Sequence, residues 1–304
     1  MFTLDANAGG IGNNMFEFMS FIGIARMIQR VPVLSADAAR HLRKSHSEFP
    51  FLLDGIKIGK LAKRSANVTF SHRCCEFADP VTVFAPYQVT ATVNIRLVYS
   101  QSFKYFANFS REEITKKLTM TGEIQRIARE DVVPLPVLRS ADNIICIHSR
   151  RGDFVTSTLH AHSNEDFTLP ATKLLIERAR KRGSKKPLIV FIGDDKPWQR
   201  DLVKKLPNVT AVVANEGNSK MPSVVDWEFS RQHCDSLLLS ASASTFGWWM
   251  GYLSKRNDVY YNTVFSKPNG FGNTLVPEDF FPLTWVPLEY DTSTHSVAIR
   301  PPFL

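Results

Sequence analysis

Short apolar runs alternate with longer helix-like stretches along this chain, most regularly in its second half. Buried strands are expected there at four runs of apolar residues: 144–147, 187–192, 209–214 and 236–239. Helices are expected between and after these strands, at residues 171–182, from about 197, at 226–234 and up to 253. The alternation predicts an α/β fold with a parallel, doubly wound sheet.

The first half of the chain shows the same two kinds of element, less regularly spaced. A strand at residues 2–4 leads through a glycine-rich turn into a helix that ends near Ile28. Further strands are expected at residues 31–34, 81–84 and 91–99, and further helices at 37–44 and 110–130. Pro134 and Pro136 then interrupt the pattern. With 304 residues, we expect two domains, 1–138 and 139–304.

The glycine-rich turn at residues 6–16 has a composition suited to binding an anion. Its sequence is Ala-Asn-Ala-Gly-Gly-Ile-Gly-Asn-Asn-Met-Phe, which can direct backbone N–H groups and a helix N-terminus toward a negative charge. Met15 stands where a dinucleotide-binding turn needs its third glycine, and no Gly-Lys-Ser/Thr ending marks a P-loop. A tight turn capped by Asn13 or Asn14 is the alternative interpretation.

The strongest chemical signal follows the first strand of the second half directly. His148, Arg150, Arg151, Gly152 and Asp153 stand there in close succession. Ligands of open α/β sheets bind beyond the carboxyl ends of strands, and two guanidinium groups at such an end suit a diphosphate. Gly152 permits a tight turn, and Asp153 could orient one arginine. A solvated charge cluster is the alternative interpretation.

Two more strand ends carry groups that can contact a nucleotide. Asp194 and Asp195 follow the strand 187–192, where they could accept hydrogen bonds from a ribose or a guanine edge, or cap the next helix. The strand 236–239 is followed by a turn rich in serine and threonine that opens a helix. Hydroxyl groups and a helix N-terminus together favour a second anion site. The paired tryptophans 248 and 249 behind it are expected to lie in the core.

Formal net charge is +8, which favours an anionic partner. Nucleic acid is not expected, because the chain has no zinc-finger spacing, RNA-binding aromatic signature or long basic helix. His160 and His162 could bind a metal together with nearby acids, but residues 156–167 lack helical periodicity and predict a flexible loop. A small phosphorylated ligand is therefore the favoured partner.

The four cysteines show no C-x-x-C spacing, so neither a zinc site nor a thioredoxin-like motif is indicated. Cys146 is interpreted as a small buried apolar residue, while Cys74 or Cys75 could form a disulfide in a secretory compartment. Three N-x-[ST] sequons provide candidate glycosylation sites at Asn67, Asn108 and Asn208. No signal peptide and no membrane-spanning run are seen, so the polypeptide as given is expected to be soluble.

Several motifs resemble, in order along the chain, those of the galactoside α-1,2-fucosyltransferase family, glycosyltransferase family 11. They are Gly-Gly-Ile-Gly-Asn-Asn-Met-Phe at 9–16, Gln-Ser-Phe-Lys-Tyr-Phe at 101–106, His-Ser-Arg-Arg-Gly-Asp at 148–153, Ser-Thr-Phe-Gly-Trp-Trp at 244–249 and Asp-Phe-Phe-Pro-Leu-Thr-Trp at 279–285. Together these matches extend over most of the chain.

The resemblance implies a GT-B fold, with two Rossmann-like domains facing a cleft. It also implies that GDP-fucose is the donor and a galactose-containing glycan the acceptor, with inversion at the anomeric carbon and no need for a divalent metal. The absence of a D-x-D metal signature agrees with this. In metal-free transfer, Arg150 and Arg151 would neutralise the leaving GDP.

The resemblance further implies which residues form the site. Arg150 and Arg151 would bind the diphosphate, and Asp153 and Asn13 would lie at the catalytic centre. The expected donor-binding residues are His148, Gly10, Gly12, Asp194, Asp226, Ser244, Thr245 and Phe246, the last through its amide. Asp194 and Asp226 are candidates for the guanine or the ribose, and Gly10, Gly12 and Asn13 would line the cleft from the N-terminal domain.

The chain also departs from the family pattern. Asn14 replaces the usual glutamine, and Gly247 stands where a serine is common. The general base stays open among Asp153, Glu165, Asp166 and Glu17, and a dissociative mechanism would need little help from a base.

Family members are typically anchored in the Golgi membrane by an N-terminal helix, and no such helix is expected in the sequence as given. A Golgi lumen or membrane location is thus expected by resemblance, with a truncated product, a fragment or a protein that works elsewhere as alternatives. Two other functions remain open: fucose transfer to another glycan or to a protein hydroxyl, and a non-catalytic protein that binds nucleotide sugars.

Overall fold

The computed structural model describes residues 2–4, 10–59, 65–70, 75–97, 99–217, 221–268, 270 and 275–301. The start of the glycine-rich turn and Cys74 lie outside these ranges.

The described strands are, in chain order, β1 (Phe2–Leu4), β2 (Val33–Leu34), β3 (Lys57–Ile58), β4 (Ala66–Phe70), β5 (Val93–Leu97), β6 (Asn143–Ser149), β7 (Pro187–Gly193), β8 (Thr210–Val213), β9 (Ser236–Leu239), β10 (Val259–Asn262), β11 (Val286–Asp291) and β12 (Ser296–Ile299). The described helices are α1 (Ile11–Met27), α2 (Ala36–Ser45), α3 (Pro80–Phe84), α4 (Arg111–Lys117), α5 (Gly122–Glu130), α6 (Leu135–Ser140), α7 (Gly152–Thr156), α8 (Glu165–Lys181), α9 (Lys196–Lys204), α10 (Val224–His233), α11 (Thr245–Leu253) and α12 (Pro277–Phe280). All four strands expected in the second half are present.

The chain divides into two compact units, Met1–Thr121 with Asn273–Pro282, and Gly122–Gly272 with Leu283–Leu304. The division falls before the boundary expected at residue 138, because α5 packs against α10 and Gln232 Nε2 donates to the carbonyl of Gln125 at 3.1 Å. The late segment joins the N-terminal unit because Asp279 forms an ion pair with Lys104 at 2.5 Å.

Among the described residues of the C-terminal unit, seven strands form one sheet in the order β12-β11-β10-β9-β6-β7-β8. All neighbouring pairs are parallel except β11 and the edge strand β12. From β6 the chain proceeds to β7 and β8 on one side and then returns to β9, β10 and β11 on the other. The strand order therefore reverses between β6 and β9, which is where ligands of open α/β sheets bind.

The central strand β6 is buried on both faces, and its side chains alternate between two cores. Ile145 and Ile147 belong to the cluster that includes apolar residues of α8 and α9. Cys146 and His148 point to the opposite face, toward α10 and α11. The tryptophans expected in the core are there: Trp248 and Trp249 are fully buried, with ring centroids 5.0 Å apart.

Cys146 is buried, as expected, but the sequence did not predict that it is disulfide-bonded. Cys146 forms a disulfide with Cys234, which directly follows α10, and the two Cα atoms lie 5.7 Å apart. The two residues are 88 positions apart in the sequence, so only the three-dimensional packing of α10 on β6 brings them together.

The N-terminal unit contains a three-stranded parallel sheet, β1-β5-β4, among its described residues. Helix α1 is mostly apolar and is buried along most of its length. Gly23 allows its close packing, because a Cβ there would lie 2.1 Å from the carbonyl oxygen of Tyr105. None of the described helices combines the length and apolarity that a membrane crossing requires.

Three expectations about elements were wrong in detail. Residues 81–84 belong to helix α3 and not to a strand, because Asp79 caps the amides of Val81 and Thr82. The helix expected over 110–130 is two helices, α4 and α5, although Ser110 does cap the first. The loop expected over 156–167 ends early, because α8 begins at Glu165.

Candidate functional site

The candidate site of the C-terminal unit lies at the carboxyl ends of three adjacent strands, β9, β6 and β7. Arg150 and Arg151 follow β6, Asp194 and Asp195 follow β7, and the serine-rich turn follows β9. Segments far apart in sequence therefore meet at the reversal of strand order, as expected for a ligand site.

Arg151 is held at several points. Its Nε donates to Asp195 Oδ2 at 2.9 Å, its Nη1 donates to the carbonyl of Ser163 at 2.8 Å, and its guanidinium carbon lies 4.8 Å from the ring centroid of Trp198. Its backbone amide donates to Asp194 Oδ1 at 2.9 Å. The side chain is only 21% exposed. Its cation is thus fixed in place before any ligand arrives, which is the arrangement that stabilises charge most effectively.

Arg150 is more exposed and pairs with two carboxylates. Its Nη2 lies 2.7 Å from Asp153 Oδ1, and its Nη1 lies 3.3 Å from Asp194 Oδ2. Asp153 is engaged in orienting this arginine, so a role as general base would require it to leave the pair. Gly152 permits the approach of Asp194, because a Cβ there would lie 2.7 Å from its Oδ2.

The two acids after β7 have different partners. Asp195 caps α9 by accepting from the amide of Trp198 at 3.1 Å, as the capping interpretation predicted, and it also binds Arg151. Asp194 accepts from the backbone amide of Arg151 and pairs with the guanidinium of Arg150. Both carboxylates therefore position cations.

The turn after β9 is mostly buried. Ser244 caps α11 by accepting from the amide of Gly247 at 3.2 Å, and Ser242 donates to the carbonyl of Asn262 at 2.6 Å. Thr245 and Phe246 are partly exposed. The Thr245 hydroxyl and the first amides of α11 are thus the groups of this turn best placed to reach a ligand.

His148 lies behind the site, not on its surface. It is 1% exposed, and a Cβ on Gly247 would lie 2.5 Å from its Nδ1. Burial, aided by the nearby charge of Arg150, lowers the pKa of His148 to about 3, so its imidazole is neutral at physiological pH. A side chain this buried cannot contact a donor directly and can only support the residues packed around it. Gly247 leaves the space that the imidazole of His148 occupies.

Asp226 lies at the first turn of α10, on the β8 side of the site. Its Oδ1 accepts from Asn215 Nδ2 at 2.7 Å, and Lys196 is close enough for the two charges to interact. Burial raises the pKa of Asp226 to about 6, against the opposing effects of Lys196 and Asn215. An acid with this pKa changes its charge near physiological pH.

This pKa predicts that Asp226 makes the protein less stable as pH rises from about 4 to about 6. In that window the folded state keeps a proton that the unfolded chain, with its ordinary carboxyl pKa of 3.8, has already released. The unfolding free energy of Asp226→Asn, measured by urea denaturation, should therefore increase relative to that of wild type as pH rises from about 4 to about 6. Asp166→Asn, at an exposed position, is the control; equal profiles for wild type and Asp226→Asn would contradict the prediction.

The candidates of the N-terminal unit lie at the start of α1. Gly10 precedes the helix, Gly12 is buried, and Asn13 is exposed. Asn14, which replaces the family glutamine, has its Nδ2 3.5 Å from Nε2 of the buried His46. Their roles at the reacting sugar stay a prediction.

The remaining candidates for a general base differ in their surroundings. Glu17 is only 9% exposed, Glu165 forms an ion pair with Lys205 at 2.5 Å, and Asp166 is exposed.

Two residues that shape the arginine site were not predicted from the sequence. Ser163 bonds to both arginines, and Trp198 lies against Arg151. Trp198 directly follows the proline expected to start α9, so its position near the end of β7 could have been predicted from the sequence. A single serine in a polar stretch does not indicate its position in the fold.

The family model of glycosyl transferase family 11 matches residues 1–289. The chain belongs to this family. Two members from Caenorhabditis elegans, both named galactoside 2-alpha-L-fucosyltransferase, are each 30% identical to it. The alignments cover 93% and 91% of this chain and 75% and 76% of those proteins.

Among solved structures, a mutant of Arabidopsis thaliana FUT1 in complex with GDP is similar at a TM-score of 0.52 and 11% identity, covering 100% of this chain and 76% of that one. At this identity the likeness concerns the fold, and it confirms the GT-B-like α/β class. The family member described here thus has the expected fold class, and its arginine motif lies at the strand ends where the sequence placed it.

Proposed function

We propose that this protein is an inverting fucosyltransferase that moves L-fucose from GDP-fucose to a hydroxyl group of a galactoside, forming an α-1,2 linkage. The observation that carries the proposal is the pair of fixed guanidinium groups, Arg150 and Arg151, at the reversal of strand order. Family membership and two relatives named galactoside 2-alpha-L-fucosyltransferase support the choice of donor and linkage.

In the proposed reaction, the acceptor oxygen attacks the anomeric carbon of fucose while the bond from that carbon to the phosphate oxygen breaks. The electron pair of that bond leaves with GDP, and the hydroxyl proton passes to a base or to solvent. Arg150 and Arg151 stabilise the charge that grows on the departing diphosphate. Because the arginines are already held by Asp194, Asp195 and Ser163, little reorganisation is needed as that charge develops.

The proposed transfer needs no divalent metal. Two guanidinium groups supply the positive charge that a metal ion provides in other nucleotide-sugar enzymes. Rates measured in a chelator should therefore match those measured with added Mg²⁺ or Mn²⁺. A loss of activity in chelator that is restored by one of these ions would contradict this part of the proposal.

The proposal is tested by incubating the purified protein with GDP-fucose and a panel of galactosides, other glycans and peptides. Transfer to a galactoside, with linkage analysis giving fucose on the 2-hydroxyl, is expected. Transfer only to another glycan or to a peptide hydroxyl would keep the donor but change the acceptor. GDP binding without turnover on any acceptor would indicate a non-catalytic nucleotide-sugar binder.

The proposed location is the lumen of the Golgi. Disulfides persist mainly in oxidising compartments, and the Cys146–Cys234 bond joins the central strand to a helix packed on it. Sequons matter in the same compartment, since N-glycosylation occurs on chains that enter the secretory pathway.

In that compartment, we expect Asn208 to carry a glycan and Asn108 to carry none. Asn208 is exposed in the turn between α9 and β8, where its backbone carbonyl accepts from Arg180. Asn108 directs its Nδ2 at the carbonyl of Gly23 in the tightly packed helix α1, at 3.1 Å. Asn67, exposed on β4, accepts from a neighbouring side chain and should be less occupied than Asn208.

The measurement is the mass lost on enzymatic deglycosylation of protein secreted from eukaryotic cells, for wild type and for Asn208→Gln, Asn108→Gln and Asn67→Gln. Only Asn208→Gln should remove most of the mass shift. A shift that disappears with Asn108→Gln but persists with Asn208→Gln would refute the assignment.

A further inference from the structure

Ser163 lies in the segment between α7 and α8, two positions before α8 begins. It is completely buried, although the surrounding sequence is polar. Buried serines usually satisfy their own polar groups, so the identity of its partners decides what it does.

All the described hydrogen bonds of Ser163 go to the two arginines. Its amide donates to the carbonyl of Arg150 at 3.0 Å, and its Oγ accepts from the amide of Arg150 at 3.0 Å. Its own carbonyl accepts from Arg151 Nη1 at 2.8 Å. One residue thus fixes the backbone at the first arginine and the guanidinium of the second.

The segment that carries Ser163 is itself anchored. The amide of Ala161 donates to the carbonyl of Phe265 at 3.3 Å, and the amide of Lys267 donates to the carbonyl of Leu159 at 3.0 Å. Gly270 lies against the same segment, because a Cβ there would be 2.4 Å from the carbonyl oxygen of Leu159. The segment therefore has little freedom to follow the arginines if they move.

We infer that Ser163 is a positioning residue that sets the orientation of Arg150 and Arg151 toward the diphosphate of the donor. The inference rests on the proposed function, since it assumes that these arginines bind a diphosphate. Ser163 acts through the arginines and does not contact the donor, because its side chain is buried beneath them.

The hydroxyl group is the part of Ser163 that a substitution can remove. In Ser163→Ala the amide of Arg150 loses its acceptor inside a partly buried turn, and the turn must shift to find another. Because the carbonyl of residue 163 moves with that turn, the bond to Arg151 is disturbed as well. A small change at one hydroxyl should therefore affect both cations together.

The test is calorimetric titration of GDP and of guanosine into wild type, Ser163→Ala and Ser230→Ala, with kinetics of GDP-fucose turnover alongside. Ser230 is an equally buried serine whose hydroxyl donates to the carbonyl of Met250, within helix packing away from the arginines. Losing one well-placed hydrogen bond corresponds to a change of up to about tenfold. Ser163→Ala should weaken GDP binding by about that factor and leave guanosine binding within about twofold.

Guanosine lacks the diphosphate, so a general disturbance of the fold would weaken both ligands equally. Unchanged GDP affinity in Ser163→Ala, or a parallel loss for guanosine, would overturn the inference while the proposed function stands. Failure of wild type to bind GDP would refute the proposed function itself and the inference with it. If the alanine variant does not fold, Ser163→Cys carries the same test, since a thiol of similar size accepts hydrogen bonds poorly. Ser163→Thr, which keeps the hydroxyl, should recover most of the affinity.

Discussion

Replacement of Arg151 by alanine is expected to reduce fucosyl transfer by at least about 100-fold and to abolish GDP binding at micromolar concentrations. Removing one fixed donor that stabilises developing charge typically costs between about 100-fold and about 1,000-fold in rate. Arg151 belongs in this class because three separate contacts hold its guanidinium in place and its side chain is mostly buried. The measurement is kcat/KM for GDP-fucose together with calorimetric titration of GDP.

Two further variants show whether the charge or the planar geometry of Arg151 is responsible for transfer and for GDP binding. Arg151→Lys keeps the positive charge but loses the planar fork, so activity should remain well below wild type. Arg200→Ala removes an exposed arginine paired with Glu216, and such surface pairs contribute little, so it should behave as wild type. Equal GDP affinity in wild type and Arg151→Ala would remove the basis for assigning the diphosphate to this residue.

The loss must also be separated from unfolding. Arg151→Ala leaves the Asp195 carboxylate without its partner, although that carboxylate still caps α9. A modest decrease in melting temperature is therefore expected, far smaller than the loss of activity. Thermal unfolding of each variant provides the check.

Loss of the Cys146–Cys234 disulfide should cause the largest fall in stability. A disulfide that closes a long loop typically contributes between about 2 and about 5 kcal/mol, and these cysteines are separated by 88 positions. For a unit of this size, the melting temperature should fall by about 4 to about 20 °C. The measurement compares wild type with the Cys146→Ser, Cys234→Ser double variant by thermal and urea unfolding.

Reductant should destabilise wild type and leave the double variant unchanged. Cys75→Ser, at a buried position of the N-terminal unit, controls for placing a hydroxyl in a core. If the double variant were as stable as wild type with and without reductant, the bond would contribute nothing to the folded state.

Because Cys146 is two positions before His148, weaker GDP binding should accompany the loss of stability.

The sequence correctly predicted those elements whose structure depends on the local pattern of residues. The apolar pattern predicted strand β6 and the two arginines that follow it. It also predicted the helix that begins after the serine-rich turn, which is α11. Parallel strands then bring their carboxyl ends to one edge, so the meeting of these segments also followed from the pattern.

The sequence pattern gave wrong or missing predictions in two situations. In one, a local pattern is compatible with both a strand and a helix; in the other, the structure depends on residues far apart in the sequence. Residues 81–84 are apolar enough for a strand, yet Asp79 and the proline after it start a helix. Cys146 looked like any buried small residue, because its partner is visible only when α10 is packed on β6. Ser163 was missed because burial turns an ordinary polar residue into a fixed hydrogen-bonding centre, and the sequence does not show burial.

The assembly of the candidate site from three separate strand ends gives a way to detect the donor without knowing the acceptor. The unfolded chain has no such arrangement, so GDP is expected to bind only the folded C-terminal unit and to stabilise it. A ligand at 100 times its dissociation constant adds about 2.7 kcal/mol to the free energy of unfolding. A melting curve that shifts upward with GDP and GDP-fucose, but not with other nucleotides, would therefore report nucleotide selectivity on small samples of any variant.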